Sequence, residues 1–429
     1  MRLRGSAVRI GLRASGMLLN AVTYAMAARA LSHADMGMWA LATALTTIAL
    51  SLDLGLASHL RNRLAAAGQD AERKFVDVFN LSAIVATAYL GTILLAWGAF
   101  EAWHASGPSG LTPAQRTLAT AMMIGFVLLL ARMPFNIAAS AFYSFHEPDF
   151  PILWEVFNFA TSFALVALAL WLRMGVVVAA GAFIAGGTLT AICCMLHFLR
   201  RRGWRLQLRL PAHAAGWLRD SRAFGLLQII ALGLSTMPSF TIGSLVRVEE
   251  VTVARAAMIL CQAILSLHLA HAMPLWTEFT LIRECNDRAA RAAALRRRLV
   301  RESALLLLCF TTLAVCLPWA VSVWLNRAVD FRVTTVFCAW GLACGIGNLH
   351  SLILNGANLP MQTAAATVPG TVIAAFLAWL LAPSLGSPGV GAAFAIGAAS
   401  TTLLMVAFAR RQISSLQERR PSPVMETMS

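Results

Sequence analysis

Charged side chains inside apolar stretches are the first residues of this 429-residue chain whose types could do chemistry. Arg132 lies deep in the stretch 117–139, and Arg255 sits about one helical turn inside 251–275. A guanidinium keeps its charge there and presents a planar fork of donors matched to carboxylate or phosphate oxygens, so each must meet a cavity, an acid or a carbonyl. Glu249 and Glu250 are the alternative partners of Arg255. Arg13 and Arg29 bracket the stretch 10–31 and Arg61 marks the end of 37–57, positions from which a long cationic side chain also snorkels to a headgroup. Embedded acids are fewer: Asp53 near the end of 37–57, Glu155 near the start of 151–172, and Glu278 closing 251–275. Each reads as the ion-pair partner of a nearby arginine, with a proton or sodium site as the sharper alternative. His268 and His271 share a helix, and His197 and His350 lie on others. A lone membrane histidine more often bonds one helix to another than relays protons.

The elements that must position these residues follow from composition. The chain is 59% hydrophobic and 12% charged, with a mean hydropathy of +0.71, whereas soluble domains have about 45–50% apolar and about 25% charged residues. The bilayer is therefore the solvent. Basic residues number 34 against 19 acidic ones, for a net charge of +15, and only Lys74 is lysine. A sequence pI near 10.9 would suggest nucleic acid for a soluble protein. Here the arginines fill short connectors, so they read as topology signals and contacts with anionic lipid, and no nucleic-acid partner is expected. The eight cysteines follow no zinc or haem spacing, and all but Cys285 lie in apolar stretches. No glycine-rich phosphate loop, HExxH or GxSxG occurs and no connector is large enough for an active site, so neither an enzyme, a cofactor nor a metal site is expected.

A helix needs roughly 20 residues to cross about 30 Å of hydrocarbon. Windows of that size fall at 10–31, 37–57, 77–99, 117–139, 151–172, 176–199, 223–245, 251–275, 303–325, 333–354, 361–382 and 389–409. The expected fold class is all-α integral membrane, with about twelve transmembrane helices. Arginines alternate across the connectors: one side holds the N-terminal MRLRGSAVRIGLR, Arg61 to Lys74, the run 200–222, the run 283–301 and the end after 409, while the other has only Arg116, Arg173, Arg247, Arg327 and Arg332. By the positive-inside rule the rich side, and both termini, are cytoplasmic. The N-terminal basic start also resembles a signal peptide, but lacks a small-residue cleavage site and reads as the anchor of the first span. The basic connector after the sixth helix divides the chain into an N-terminal six-helix lobe 1–199, a linker 200–222, a C-terminal six-helix lobe 223–409 and a tail 410–429, a two-lobed transporter plan.

Pro134, Pro238, Pro274, Pro318 and Pro369 interrupt spans, and Gly186-Gly187 and Gly341 with Gly345 permit close helix approach. The stretch RAARAAALRRRLVRES is expected to continue the eighth helix into the cytoplasm along anionic headgroups. WRLQLRL, before Pro211, reads either as an interfacial segment or as a plain linker.

The opening run, through Ala28, Arg29, Leu31, Gly37, Trp39, Asp53-Leu54-Gly55-Leu56 and Leu60-Arg61-Asn62-Arg63, resembles bacterial polysaccharide-biosynthesis flippases, the oligosaccharide-lipid branch of the multidrug and oligosaccharidyl-lipid exporter superfamily. A weaker match lies at IGSLVRVEEVTVARAAMIL. The chain departs from the family at Pro238-Ser239-Phe240, where relatives often carry an acid, and at Arg255, commonly Tyr. The resemblance implies two six-helix lobes around a central cavity in a bacterial inner membrane. It further implies translocation of undecaprenyl-pyrophosphate-linked oligosaccharide from the cytoplasmic to the periplasmic leaflet by alternating access, for O-antigen, capsule or exopolysaccharide synthesis, with a polymerase and assembly proteins as partners. The pyrophosphate would pass along Arg132 and Arg255, helped by Arg29 and Arg61. An ion-coupled drug or metabolite exporter of the same fold is the alternative, and would depend on Asp53 or Glu155. A major-facilitator transporter is disfavoured by the missing Gly-x-x-x-Asp-Arg loop between the second and third helices.

Overall fold

The computed structural model describes residues 6–49, 53–65, 70–106, 112–145, 147–211, 213–272, 275, 279, 288–357 and 359–418. Glu278, Pro274 and Cys285 lie outside them. Helices α1 (Ser6–Ala30), α2 (His33–Ala49), α3 (Leu56–Ala65) and α4 (Ala71–Ser106) open the chain. They are followed by α5 (Pro113–Arg132), a 3₁₀ turn (Met133–Asn136), α6 (Ile137–Ser144), α7 (Asp149–Trp171) and α8 (Gly175–Arg202). Then come α9 (Ala214–Ser235), α10 (Met237–Leu245), α11 (Val248–Ala272), α12 (Arg288–Leu325), α13 (Phe331–Gly356) and α14 (Pro360–Glu418), and no strand occurs among the described residues.

Eight of these helical stretches are long and apolar enough to cross a membrane, α5 to α6 counting as one. Four more passes complete the expected twelve. α1 carries three arginines in its sequence, α2 is 17 residues long, and the seventh pass is divided into α9 and α10. The last comes from α14, whose 59 residues would be far too long for one crossing and which breaks at Gly386 (φ 61°, ψ −144°) between Pro383 and Pro388. The fold is thus a multi-pass, all-helical membrane protein.

Local chemistry explains the breaks. Thr112 caps α5 by accepting from the Gln115 backbone N–H while the Gln115 side chain accepts from Thr112 N–H, and Pro113 follows at the first helical position. Pro134 has no N–H to donate to the helix, and the pass narrows to a 3₁₀ turn there before resuming as α6. Gly203 (φ 68°) ends α8 immediately after three arginines in its last turn, which face the negative end of the helix dipole.

Two expectations are corrected. RAARAAALRRRLVRES does not prolong the eighth helix: it is the start of α12, continuous with the ninth span. With 38 residues, α12 is roughly 57 Å long, so its arginine-rich third projects beyond the hydrocarbon. The second window, 37–57, covers more than one element. α2 ends at Ala49, and residues 53–55 form a turn with Leu54 (φ 53°) and Gly55 (φ 77°) in left-handed conformation. Hydropathy windows cannot see such a turn, because Leu54 and Leu56 are as apolar as a span requires.

The chain divides into two compact units: Met1–Ala256 with Ser322–Arg327, and Ala257–Val321 with Ala328–Ser429. In the first, an aromatic cluster joins α4, α6 and α8. Phe198, fully buried, lies 4.9 Å from Phe75, 5.0 Å from Phe142 and 5.5 Å from Trp204 between ring centroids. WRLQLRL is pinned as an extended strap on α4: Asn80 Nδ2 donates to the Gln207 carbonyl, Arg209 pairs with Asp77 at 3.2 Å, and the Arg205 N–H reaches Glu72. In the second unit, Leu275, Leu295, Leu299, Leu352, Ile353 and Ile413 pack in one cluster drawing on α12, α13 and α14.

Glu147, in the turn before α7, accepts hydrogen bonds from Arg201 Nε and Nη2 at 3.1 Å each, with Arg202 at 3.4 Å. Burial works to raise its carboxyl, but the hydrogen bonds from Arg201 and the charges of Arg202 and Arg201 outweigh it and hold the group below the ordinary value.

Two outcomes are expected. Phe198→Ala leaves a cavity among three rings and should destabilise the protein by about 3–5 kcal/mol, read as a lowered unfolding midpoint in detergent. Because a depressed carboxyl stabilises only while ionised, wild-type thermal stability should fall as pH drops below the ordinary glutamate range through Glu147's lower folded value. Glu147→Gln should abolish that part of the pH dependence, and an unchanged slope would contradict the assignment.

Candidate functional site

The five arginines and two acids singled out among the described residues, Arg13, Arg29, Arg61, Arg132, Arg255, Asp53 and Glu155, all lie in the first unit. α1 and α7 run parallel, because their polar partners ascend together: Arg9 Nε meets Asp149 Oδ1 at 2.8 Å and Arg13 Nε meets Glu155 Oε2 at 3.4 Å. Arg13 also hydrogen-bonds Tyr143 of α6, and the Arg61 guanidinium, on α3, stands 5.0 Å from the Tyr143 ring centroid. Four helices therefore meet at one polar cluster built of Arg13, Glu155, Tyr143 and Arg61. The expected ion pair of Glu155 is present.

One turn further along α7 stands Asn158, about 4.5 Å of helical rise from Glu155. Arg132, the last residue of α5, donates from Nε to Asn136 Oδ1 at 3.0 Å across the 3₁₀ turn. A Cβ placed on Gly187 of α8 would collide with Arg132 Nη1 and Asn158 Oδ1, so the guanidinium occupies the space that this glycine leaves open. Thr188 donates to the Leu128 carbonyl at 3.0 Å and fastens α8 to α5 beside it. Among the described residues Arg132 has no carboxylate partner. Its side-chain hydrogen bond is to the neutral amide of Asn136, which does not compensate its positive charge.

Arg255 is 7% exposed on α11, and no ion pair of its guanidinium occurs among the described residues. Its Nη1 has no hydrogen-bond partner, and neither have Trp39 Nε1 and Thr252 Oγ1. Tyr24 links these side chains, its hydroxyl donating to the Thr252 carbonyl at 2.9 Å and its ring 5.2 Å from that of Trp39. Trp324 completes the wall, 5.3 Å from the Tyr24 ring, and donates to the Ala21 carbonyl.

Of the four arginines expected to guide pyrophosphate, Arg61 stands over Tyr143 in the α1–α7 polar cluster, and Arg132 lies beside Asn136 and Gly187. Arg255 has its own aromatic enclosure, and Arg29 is exposed near the end of α1. Asp53 caps α3, accepting N–H groups of Gly55 (3.0 Å) and Ala57 (2.9 Å) and a hydrogen bond from Gln228. Tyr24 and Tyr143 were not anticipated. The chain has only three tyrosines, and two of them stand beside membrane arginines, which is the signal the sequence offered.

No family model and no curated protein matches the sequence. The fold is that of MOP superfamily transporters. An inward-facing multidrug resistance MATE family transporter is similar over 97% of both chains at 15% identity and a TM-score of 0.70. The lipid II flippase MurJ, in an inward closed conformation, is similar over 94% of this chain and 88% of its own at 11% identity and 0.72. A MOP superfamily transporter from Pyrococcus furiosus, described by the reverse polarity of its binding pocket, is similar over 96% of both at 16% identity and 0.69.

Gly187→Ala should press its methyl group against the Arg132 guanidinium and the Asn158 amide and destabilise the protein by about 1–3 kcal/mol. A lowered unfolding midpoint in detergent checks this, and an unchanged midpoint would show that the space over Gly187 is not needed by Arg132.

Proposed function

We propose that the chain is a flippase that carries an undecaprenyl-pyrophosphate-linked oligosaccharide across the bacterial inner membrane by alternating access of its N- and C-terminal six-helix lobes. The observation that carries this reading is the pair of membrane arginines, Arg132 and Arg255, for which no carboxylate partner occurs among the described residues. A charge buried without a counter-ion is costly, and an anionic substrate supplies the missing one. Guanidinium forks match pyrophosphate oxygens, while the polyprenyl tail stays in lipid. Arg61 and the Arg13–Glu155–Tyr143 cluster extend the polar track along α7, and Arg29 is an accessory cation at one end. Similarity in fold to a lipid II flippase is compatible with such a substrate.

Anionic lipids would contact the arginine-rich connectors, with both termini cytoplasmic, and a polymerase and assembly proteins would take up the product. The second reading, an ion-coupled drug or metabolite exporter, draws on the similarity to multidrug transporters and on Glu155 as a membrane-embedded acid. Asp53 is the weaker candidate for coupling, since its carboxylate oxygens are engaged in capping α3.

Lipid extracts from cells lacking the protein should accumulate undecaprenyl-pyrophosphate oligosaccharide, with surface polysaccharide lost. Arg132→Gln with Arg255→Gln should reproduce that defect at normal protein level. Unchanged lipid intermediates, with drug efflux abolished by Glu155→Gln, would replace the flippase reading by the exporter.

A further inference from the structure

The second unit holds a cluster of titratable groups that the proposed arginine track does not use. His268 and His271 are three residues apart on α11, hence on one face. Both turn Nε2 toward a single carboxylate: His268 lies 3.1 Å from Glu302 Oε2 and His271 3.3 Å from Glu302 Oε1. The Glu302 and His268 side chains are each 8% exposed, whereas His271 is half exposed at 51%. Arg298, one turn earlier on α12, approaches Glu302 Oε1 only to 4.0 Å. Among the described residues of the neighbouring helices, the charged or titratable groups are His350 of α13, whose Nδ1 lies 2.8 Å from the Ile346 carbonyl, and Arg410 of α14, close enough to act on His350 electrostatically. The glutamate was invisible in the sequence because it ends the run of arginines in RRRLVRES and reads there as one member of a solvated basic face.

Two imidazoles sharing one carboxylate make a specific device. With both rings neutral, each Nε2–H can donate to one oxygen of Glu302. A proton arriving from water binds the remaining nitrogen of one ring, and the resulting imidazolium faces the carboxylate at hydrogen-bond distance. A second proton is opposed by the first imidazolium and by Arg298, so the pair takes up its protons in separate steps. His271 is the exposed member and provides the entry, while His268 and Glu302 are enclosed between α11 and α12.

We infer that His268, His271 and Glu302 form a binding site for one exchangeable proton in the second unit. Occupancy changes the charge held between α11 and α12, and so makes the pairing of these two helices depend on pH. The site does not depend on the identity of the transported substrate, and its test needs no transport assay.

The test is a pH titration, from about pH 5 to 9, of ¹⁵N-histidine signals in the full-length protein in lipid nanodiscs. His268→Gln and His271→Gln variants assign the resonances. In the wild type, the His268 and His271 signals should move together through two steps. Glu302→Gln, which keeps shape and hydrogen-bonding capacity, should move the first step to lower pH by about one unit or more. His271→Gln, at an exposed ring, should leave His268 with a single-step curve. Independent single-step titrations of both histidines, unmoved by Glu302→Gln, would overturn the site. If Glu302→Gln does not fold, His271→Gln decides: a His268 curve identical to wild type would sink the inference.

Discussion

A guanidinium carried into hydrocarbon cannot shed its charge, and the first unit is arranged around that constraint. Each membrane arginine is given something: Arg13 a carboxylate and a phenol, Arg61 an aromatic face, Arg132 a side-chain amide and the gap over Gly187. Arg255 Nη1 is buried without a hydrogen-bond partner, as are Trp39 Nε1 and Thr252 Oγ1. The price of burying positive charge is met by acids at one end of the α1–α7 seam and by neutral groups further along it. The gradient from paired to unpaired arginine is the basis of the anionic substrate proposed above.

Helix breaks supply the geometry for this arrangement. The 3₁₀ turn at Pro134 places Arg132 and Asn136 on either side of an interruption, so that the amide can reach back to the guanidinium. The turn at residues 53–55 allows Asp53 to cap α3 and so aims Arg61 at Tyr143. In both places a backbone irregularity is tolerated because protein groups, not lipid, meet the freed polar atoms. The same reasoning covers Gly386, where two prolines and a left-handed glycine divide the last long stretch into two passes.

α11 is the element on which the chemistry of both units draws. Its first half carries Thr252 and Arg255 in the first unit, and its second half carries His268 and His271 in the second. Within the second unit it meets α12 at Glu302, a buried acid.

Twelve passes, the asymmetry of arginine between connectors and the candidacy of Arg132, Arg255 and Glu155 were legible in the residues alone, because hydropathy over about 20 residues and the cost of a buried charge are local properties. The sequence also contained the prolines that break the fourth and seventh passes. It could not tell that the arginine run belongs to the start of α12, since helix formers with arginines continue either neighbour equally well. Nor could it tell which arginines are paired. Arg13 and Glu155 are 142 positions apart, as are no two residues that periodicity can relate, and Glu302 meets His268 only because α11 and α12 pack side by side. Partnership between charges depends on contacts across helices, which hydropathy does not encode and which packing alone brings about.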